Sequence, residues 1–367
     1  MRVAIDARAL MGQQTGIGTY TLGITRALNA LPEMEVGLFA PRPLAGAPSS
    51  DGFEVHLGPD IPGLIWTQAA LARRAADWGA DGLLAALTIA PVKSGVPVVS
   101  VVHDLTPLTH PQWHAARTLV GFLPFWDRTA ERAARFVCVS ETTARELSRL
   151  YPDTRSRIRV ASNGVDPAFS PGAGEPERNQ TRRRFAGGRP FLLFLGTLEP
   201  RKNVAALVTA CEQLWEESSG RPDLVLAGGV GWKAAALLDR IEQSSHRGRI
   251  HVAGYAPRDT ARDLYRAAEV FVLPSFAEGF GLPLAEAMAC GAPCVASTAE
   301  ALVEVGGDAA LYAPADDPPA LARAIATALE DPATKRRLSA AGPPRAALFT
   351  WEAAAAITAR ALEEAAS

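Results

Sequence analysis

Two glutamates, Glu278 and Glu286, flank a glycine-containing loop in the segment EGFGLPLAEAM. Gly279 and Gly281 permit close approach of the backbone to a ligand, and Pro283 suits the first turn of a following helix. The start of that helix presents N–H groups that attract an anion, and the two carboxylates can accept hydrogen bonds from hydroxyls, each worth roughly 1.5–3 kcal/mol. The segment predicts a site for an anionic polyol. The competing interpretation is a helix start whose carboxylates are favoured only by the helix dipole.

Two adjacent cations, Arg201 and Lys202, occur in a second segment, GTLEPRKN, directly after an apolar run at Phe191–Leu195. Fixed cations at the carboxyl end of a strand can stabilise the charge that develops on a departing pyrophosphate. The alternative is a solvated basic pair on a loop. Together the two segments indicate chemistry on a phosphorylated sugar.

The spacing of Glu278 and Glu286, with seven residues between them, resembles the Glu-x7-Glu motif of family 4 retaining glycosyltransferases of the GT-B fold. The resemblance implies that Glu278 contacts hydroxyls of a donor sugar and that Glu286 binds the ribose of a nucleotide. It implies that backbone N–H groups of the intervening loop hold the diphosphate and sugar. Those loop residues are Gly279, Phe280, Gly281 and Leu282.

The same resemblance extends to other loops that follow predicted strands. GTLEPRKN is similar to the diphosphate-binding element of the family, which implicates Thr197, Arg201 and Lys202. Gly16 and Gly18 are similar to its flexible glycine loop, or they form a simple helix-opening turn. His103 corresponds to a functional histidine that contacts the donor sugar or orients the acceptor, or else it is a histidine satisfied by Asp104.

Tyr255, in the segment GYAP, lies in a region that the family places close to the nucleotide base. The Tyr255 ring either stacks on the base or only covers the nucleotide pocket.

Short continuous apolar runs alternate with helical patterns along the whole chain. Such runs are typical of parallel strands buried on both faces, and they predict an α/β protein with two doubly wound, Rossmann-like domains, which in the GT-B fold face across a cleft.

We expect an acceptor-binding domain over 1–168, a nucleotide-sugar-binding domain over 169–348 and a terminal helix over 349–367 that packs back on the first domain. The Gly/Pro-rich stretch Asn163–Gly172 and the polar segment Glu175–Arg184 are interpreted as the linker. The predicted strands are Val3–Ile5, Val36–Phe39, Gly82–Ala85, Val98–Val102, Phe136–Val139, Arg159–Ala161, Phe191–Leu195, Leu224–Ala227, Ile250–Ala253, Val270–Leu273, Cys294–Ala296 and Ala310–Tyr312.

The composition excludes several classes of protein. The 367 residues include 37 basic and 39 acidic ones, a net charge of −2, so a nucleic-acid footprint is not expected. The four cysteines do not form a disulfide framework and are expected to be reduced. There is no acidic Asp-x-Asp pair of the kind that metal-dependent glycosyltransferases use, and neither a metal nor a cofactor is expected. No signal peptide or membrane-spanning run is recognised, which favours a cytoplasmic protein.

These observations converge on a metal-independent retaining hexosyltransferase. The segments IDARALMGQQTGIGTYTLGITRAL, HDL and GTLEPRKN are most similar to bacterial mannosyltransferases of O-antigen and exopolysaccharide assembly, which makes GDP-mannose the first expected donor and a saccharide or lipid-linked saccharide the acceptor. The alternatives are a UDP-sugar donor or a sugar-nucleotide-binding protein without catalytic activity. A nicotinamide-dependent oxidoreductase is disfavoured because the third glycine of the dinucleotide fingerprint and the downstream ribose carboxylate are missing.

One segment, Trp113–Arg135, combines aromatic residues with arginines. Arg128, Arg132 and Arg135 share one face at helical spacing. Such a face would suit peripheral contact with an anionic membrane; an amphipathic core helix with a solvated face is the alternative.

Overall fold

The computed structural model describes residues 1–45, 51–172 and 174–367. The chain divides into two compact units. The first consists of Met1–Gly164 with Thr350–Ser367, and the second of Val165–Phe349. The predicted boundaries at 168 and 348 lie within a few residues of these two crossings.

The first unit is built on a seven-stranded parallel sheet with the strand order β3-β2-β1-β4-β5-β6-β7. The central strands consist mainly of buried apolar residues, as their continuous runs predict. The strands are β1 Arg2–Asp6, β2 Glu35–Ala40, β3 Glu54–Leu57, β4 Gly82–Ala85, β5 Val98–Val102, β6 Arg135–Cys138 and β7 Ile158–Val160.

Strand β3 is missing from the sequence prediction. It forms one edge of the sheet, and Val55 and Leu57 are 44% and 45% exposed. A strand that is not buried on both faces does not produce a continuous apolar run, so the pattern that found the other strands could not find this one.

Helices follow most strands of the first unit. A π-helical turn, Trp66–Leu71, joins two of them, and 3-10 turns occur at Arg8–Leu10, Pro111–Trp113 and Pro152–Arg157. The α-helices are α1 Gly16–Asn29, α2 Gly63–Ile65, α3 Ala72–Asp77, α4 Thr106–Thr109, α5 Ala116–Arg132 and α6 Glu141–Leu150.

The second unit contains a six-stranded parallel sheet with the order β10-β9-β8-β11-β12-β13. The strands are β8 Phe191–Leu195, β9 Asp223–Ala227, β10 Ile250–Gly254, β11 Val270–Leu273, β12 Cys294–Ser297 and β13 Ala310–Ala313. The α-helices are α7 Glu175–Ala186, α8 Val204–Glu217, α9 Ala235–Glu242, α10 Arg258–Ala267, α11 Leu282–Ala289, α12 Glu300–Gly306, α13 Pro318–Glu330 and α14 Pro332–Ala346, and 3-10 turns occur at Pro200–Lys202, Arg247–Arg249 and Gly307–Ala309.

The interpretation of Glu175–Arg184 as a linker is wrong, because this segment forms α7. Acidic residues occupy its first turn, arginines occupy its last turn, and Gly187 ends it in the left-handed conformation. Glu269 anchors the helix by accepting a 2.6 Å hydrogen bond from Arg182. A strongly polar segment can therefore be helical when its charges match the helix dipole and one neighbouring element holds it.

Helix α15, Trp351–Ala366, follows the second unit in sequence and completes the first. It contacts α1 and strands β4 to β7. The Trp351 ring fills a slot beside two glycines: a Cβ atom at either Gly23 or Gly164 would collide with Trp351. No larger residue fits at these positions without moving the tryptophan.

Candidate active site

The second sheet reverses its strand order between β8 and β11, and ligands of doubly wound sheets bind outside the carboxyl ends of the strands at such a point. The loops after these two strands are joined by backbone and side-chain bonds. The Phe276 N–H donates to the Arg201 carbonyl at 2.9 Å, and Asn203 Nδ2 donates to the Pro274 carbonyl at 3.2 Å. Asn203 adopts the left-handed conformation with φ of 52°. The topology therefore brings Arg201 and Lys202 next to the loop that contains Glu278.

Glu278 is bonded directly to both cations. Lys202 Nζ donates to Glu278 Oε1 at 2.6 Å, and Arg201 Nη1 donates to Glu278 Oε2 at 3.0 Å. Ser275 Oγ donates to the same Oε1 at 2.6 Å. A further carboxylate, Glu199, accepts from Arg201. We call these five side chains the ion-pair cluster.

The charges of the ion-pair cluster are largely removed from water. The side chains of Arg201, Lys202 and Glu278 are 14%, 10% and 6% exposed. Burial alone would raise the pKa of Glu278, but Lys202 and Arg201 hold it below its ordinary value. Glu278 is therefore ionised at neutral pH. Its negative charge is compensated by Arg201 and Lys202, the two cations expected to bind a diphosphate.

The loop between Glu278 and α11 depends on Gly281. Its φ is 98°, a conformation that favours glycine, and a Cβ atom there would lie 2.5 Å from Leu302 Cδ2. Phe280 is buried and packs edge-on against Phe349, with ring centroids 5.2 Å apart. The helix then begins at Leu282; Pro283 has no N–H, and the Leu284 N–H donates to the Gly281 carbonyl at 2.9 Å. A phosphate oxygen at this helix start would therefore meet the Leu282 N–H rather than a full turn of donors.

Glu286 lies one turn into α11 and has a different environment from Glu278. Its Oε2 accepts a 3.0 Å hydrogen bond from the buried Tyr265 hydroxyl. Burial raises the pKa of Glu286 to about 7; Tyr265 and Arg258 oppose this shift and Asp166 adds to it. The motif thus contains one carboxylate that is fixed in its ionised form and a second that titrates near neutrality.

Thr197 and Tyr255 lie in loops that glycines hold together. Gly228, with φ of 137°, packs against the backbone of Gly196, and its N–H donates to the Gly254 carbonyl at 2.7 Å. Thr197 and Tyr255 directly follow Gly196 and Gly254, and Tyr255 is 38% exposed. Both residues therefore lie at the same edge of the sheet as the ion-pair cluster.

In the first unit, His103 follows β5 and is partly exposed. Its Nε2 lies 2.8 Å from the Ala86 carbonyl, which can only accept, so Nε2 carries the proton. Asp104 Oδ1 accepts instead from the Thr106 N–H and hydroxyl. Burial lowers the pKa of His103, although Ala86 and Asp104 oppose the shift. The ring is neutral at pH 7, and its Nδ1 is the hydrogen-bond acceptor.

Gly16 and Gly18 lie in the first turn of α1, not in a free loop as the resemblance implies. A Cβ atom on Gly18 would lie 3.1 Å from the Ala9 carbonyl oxygen, whereas Gly16 faces open space. Tyr20, one turn further, packs edge-on against His103 with centroids 4.9 Å apart. The glycine segment and the histidine are thus connected within one unit.

The segment Trp113–Arg135 differs from its predicted form. Arg135 lies on β6 rather than on the helix, and its Nε donates to Glu364 at 3.0 Å. Trp126 is fully buried, whereas Val120 and Leu123 are 68% and 40% exposed. Arg128 and Arg132 share the exposed side of α5 with two carboxylates. The three-arginine stripe is therefore wrong: at helical spacing the exposed apolar pair lies in line with the two carboxylates, and the two arginines lie further round the helix.

The described ranges contain no group of three or more His, Cys, Asp or Glu residues arranged to hold a metal ion. Two histidines spaced four residues apart are bonded elsewhere: His110 to Thr109, and His114 to Thr106. All four cysteines are free and buried. Over the same ranges, no helix is both long and apolar enough to cross a membrane.

Comparison with known families agrees with this geometry. Residues 14–169 match the family described as Glycosyltransferase Family 4, and residues 176–345 match Glycosyl transferases group 1. An O-antigen chain mannosyltransferase B of Escherichia coli is 34% identical over 257 residues, which cover 69% of this chain and 67% of the relative. The chain is a family 4 glycosyltransferase.

Other relatives of this glycosyltransferase match it over very different shares of their own length. A serotype-specific mannosyltransferase WbdA of E. coli is 31% identical over 61% of this chain, but the match spans only 29% of that protein. A D-inositol 3-phosphate glycosyltransferase of Jonesia denitrificans is 28% identical, with 93% and 89% of the two chains covered.

Solved structures identify the fold of the glycosyltransferase as GT-B. A sucrose-phosphate synthase from Thermosynechococcus elongatus gives a TM-score of 0.78 at 23% identity and covers 98% of this chain and 97% of its own. Anabaena HepE in complex with UDP-glucose gives a TM-score of 0.77 at 18% identity, and the match covers 99% of this chain and 98% of HepE. The α/β architecture with two parallel sheets is therefore confirmed.

Tyr265, Ser275, Asn203 and Glu199 were not singled out from the sequence. A buried tyrosine generally needs a hydrogen-bond partner, which was the only signal available for Tyr265. Ser275 and Asn203 lie within or beside the two motifs: Ser275 donates to Glu278 within its own loop, whereas Asn203 donates to carbonyls of two loops that are far away in sequence.

Proposed function

We propose that this glycosyltransferase transfers a hexose, with mannose from GDP-mannose as the first donor, to a saccharide or lipid-linked saccharide with retention of configuration and without a metal ion. The observation that carries the proposal is the bonding of Lys202 and Arg201 to Glu278 beside the start of α11. Two cations and a helix start can hold a diphosphate, while a carboxylate at the same position can accept hydrogen bonds from sugar hydroxyls.

The proposed reaction takes place on one face of the donor sugar. The acceptor hydroxyl attacks the anomeric carbon on the side from which the diphosphate leaves, and a donor phosphate oxygen takes the hydroxyl proton. Lys202 and Arg201 stabilise the charge that accumulates on the diphosphate. The contribution of the protein is to position both reactants and to stabilise this charge.

His103 is proposed to orient a sugar hydroxyl. Because Nε2 donates to the Ala86 carbonyl, Nδ1 of the neutral ring is left to accept a hydrogen bond. Gly16 and Gly18 at the start of α1 are proposed to approach phosphate or acceptor oxygens through their N–H groups.

Tyr255 and Thr197 are proposed to contact the base and the diphosphate, respectively. The similarity to O-antigen mannosyltransferases supports a GDP-mannose donor, whereas the HepE complex with UDP-glucose supports a UDP-sugar as the alternative.

A donor panel tests the proposal. The protein is incubated with GDP-mannose, UDP-glucose, UDP-galactose and UDP-N-acetylglucosamine, with mannosides as acceptors, in the presence and absence of EDTA. Transfer from one donor, with an α-linked product detected by NMR and a rate unchanged by EDTA, is expected. A β-linked product would reject retention, and activity restored only by manganese would reject the metal-independent reaction. Donor binding without transfer or hydrolysis would favour a non-catalytic sugar-nucleotide-binding protein.

The pH dependence of nucleotide binding tests the proposed ribose contact of Glu286. A ribose hydroxyl donates to an ionised carboxylate, so protonation weakens binding. With a pKa of about 7, the ionised fraction falls about tenfold from pH 8 to pH 6, and GDP affinity should fall by a similar factor. Calorimetry on the wild type and Glu286→Gln separates this effect from titration of the phosphate itself. The same pH dependence in both proteins would contradict the assignment.

We also propose a cytoplasmic location with peripheral membrane contact through α5. The exposed Val120 and Leu123 would enter the headgroup region, whereas the charges of Arg128 and Arg132 are offset by the two carboxylates on the same side of α5, so the apolar pair is proposed to supply most of the contact. The double variant Val120→Ser/Leu123→Ser should reduce sedimentation with phosphatidylglycerol vesicles at least fivefold. The control is Leu348→Ser, which changes an equally exposed residue of the second unit. Equal binding by both variants, or no binding by the wild type at low salt, would reject this contact.

A further inference from the structure

Glu199 is a buried carboxylate that the proposed reaction does not use. Its side chain is 4% exposed. It occupies the N-cap position of the 3-10 turn Pro200–Lys202, but its side chain makes no capping hydrogen bond. Stabilisation of that turn therefore does not account for its carboxylate.

The carboxylate of Glu199 is bonded to one edge of the Arg201 guanidinium. A single oxygen, Oε1, accepts from Nε at 3.2 Å and from Nη2 at 2.9 Å. The remaining nitrogen, Nη1, donates to Glu278 Oε2 and to the Ala277 carbonyl, both at 3.0 Å. Glu199 and the loop after β11 thus hold different nitrogens of the same group.

Charge alone makes Glu199 unfavourable at an anion site. The two carboxylates of the ion-pair cluster already balance Arg201 and Lys202, and a diphosphate adds further negative charge next to them. A carboxylate at this position weakens the attraction for a diphosphate. Its contribution must therefore come from geometry.

We infer that Glu199 is a positioning residue that keeps the Arg201 guanidinium oriented when Glu278 turns from the cations to the donor sugar. The inference rests on the proposed function. A long arginine side chain loses rotamer freedom when it is fixed, and a preorganised cation stabilises developing charge without reorganisation during the reaction. Because Glu199 binds Nε and Nη2, Nη1 stays directed at the loop after β11 even without Glu278.

Two substitutions separate position from charge. Glu199→Gln keeps an oxygen that can accept from both Nε and Nη2 but removes the charge, whereas Glu199→Ala removes both. We expect Glu199→Gln to keep kcat within about threefold and Glu199→Ala to lower it by about 100-fold, the lower end of the range for loss of a well-placed catalytic donor. GDP affinity should not weaken in either variant, since both remove negative charge.

Glu269→Ala is the matched control for lost stability. Glu269 also holds an arginine and a lysine in the second unit, through Arg182 at 2.6 Å and Lys335 at 2.5 Å. It should lower the melting temperature as Glu199→Ala does while kcat stays near the wild-type value. A wild-type kcat in Glu199→Ala, or equal losses in the Gln and Ala variants, would overturn the positioning role.

A spectroscopic measurement keeps this test independent of transfer. The Nε–H resonance of Arg201, assigned by its disappearance in Arg201→Lys, should exchange slowly with water in the wild type and Glu199→Gln and rapidly in Glu199→Ala. If no donor supports transfer but this contrast holds, the proposed function fails and the positioning of Arg201 stands. An unchanged resonance in Glu199→Ala rejects the inference whatever the activity.

Discussion

Replacement of Lys202 by Met is expected to lower kcat by about two to three orders of magnitude. Lys202 Nζ lies 2.6 Å from Glu278, and its side chain is 10% exposed, so its charge acts in a site where water screens it weakly. Loss of this charge removes stabilisation of the departing diphosphate, whereas donor binding through the nucleotide is retained. Steady-state kinetics with saturating donor measures the effect.

Lys335→Met is the control for the loss of a partly buried lysine contact. Lys335 pairs with Glu269 at 2.5 Å in the same unit but outside the ion-pair cluster. The kcat of Lys335→Met should remain close to the wild-type value. A kcat for Lys202→Met within about threefold of the wild-type value would show that this lysine does not stabilise the leaving group.

Replacement of Glu278 by Ala is expected to abolish most transfer while GDP affinity increases. Glu278 is bonded to both cations, and a diphosphate has to compete with it for them. Removal of a competing interaction worth about 1 kcal/mol would strengthen GDP binding about fivefold. Transfer should fall by about two orders of magnitude or more, because the sugar hydroxyls lose their acceptor. Kinetics and calorimetry with GDP measure the two effects.

Glu286→Ala provides the contrast, because it lies on the same loop and helix but binds Tyr265 rather than the cations. It should weaken GDP binding. Glu278→Gln checks that the gain in affinity is not caused by unfolding around two unpaired cations. Equal losses of GDP affinity in the Glu278 and Glu286 variants would reject the division of roles between sugar and ribose.

Apolar runs sufficed to predict twelve of the thirteen strands; most of these are buried on both faces and show no polar alternation, although the edge strands β7 and β10 are only partly buried. The missed strand β3 and the misinterpreted helix α7 share one cause. Both are partly exposed, and their stability comes from neighbours far away in sequence, such as Glu269 for α7. Local patterns do not contain those contacts.

The motifs placed Arg201, Lys202 and Glu278 in the loops after β8 and β11, and Glu286 on the helix that follows, because the carboxyl ends of parallel strands meet at one edge of a sheet. They did not predict that Glu278 is bonded to both cations, nor that Glu286 is bonded to Tyr265. Those contacts depend on the register of β8 against β11 and on the packing of α10. For the same reason the arginine spacing in α5 was misleading: the helix ends at Arg132 and the chain continues into β6.

Because α15 belongs to the first unit, the second unit is a continuous insertion into a discontinuous one. During synthesis at about 5–20 residues per second, the slot for Trp351 next to Gly23 and Gly164 stays unfilled for on the order of 10 s. The second unit is therefore able to fold completely before the first. A fragment that ends at Gly164 would lack part of its core, whereas residues 165–349 form one uninterrupted piece. Since Gly164 packs against Trp351, a short peptide joining Gly164 to Thr350 would yield the first unit as a single continuous chain.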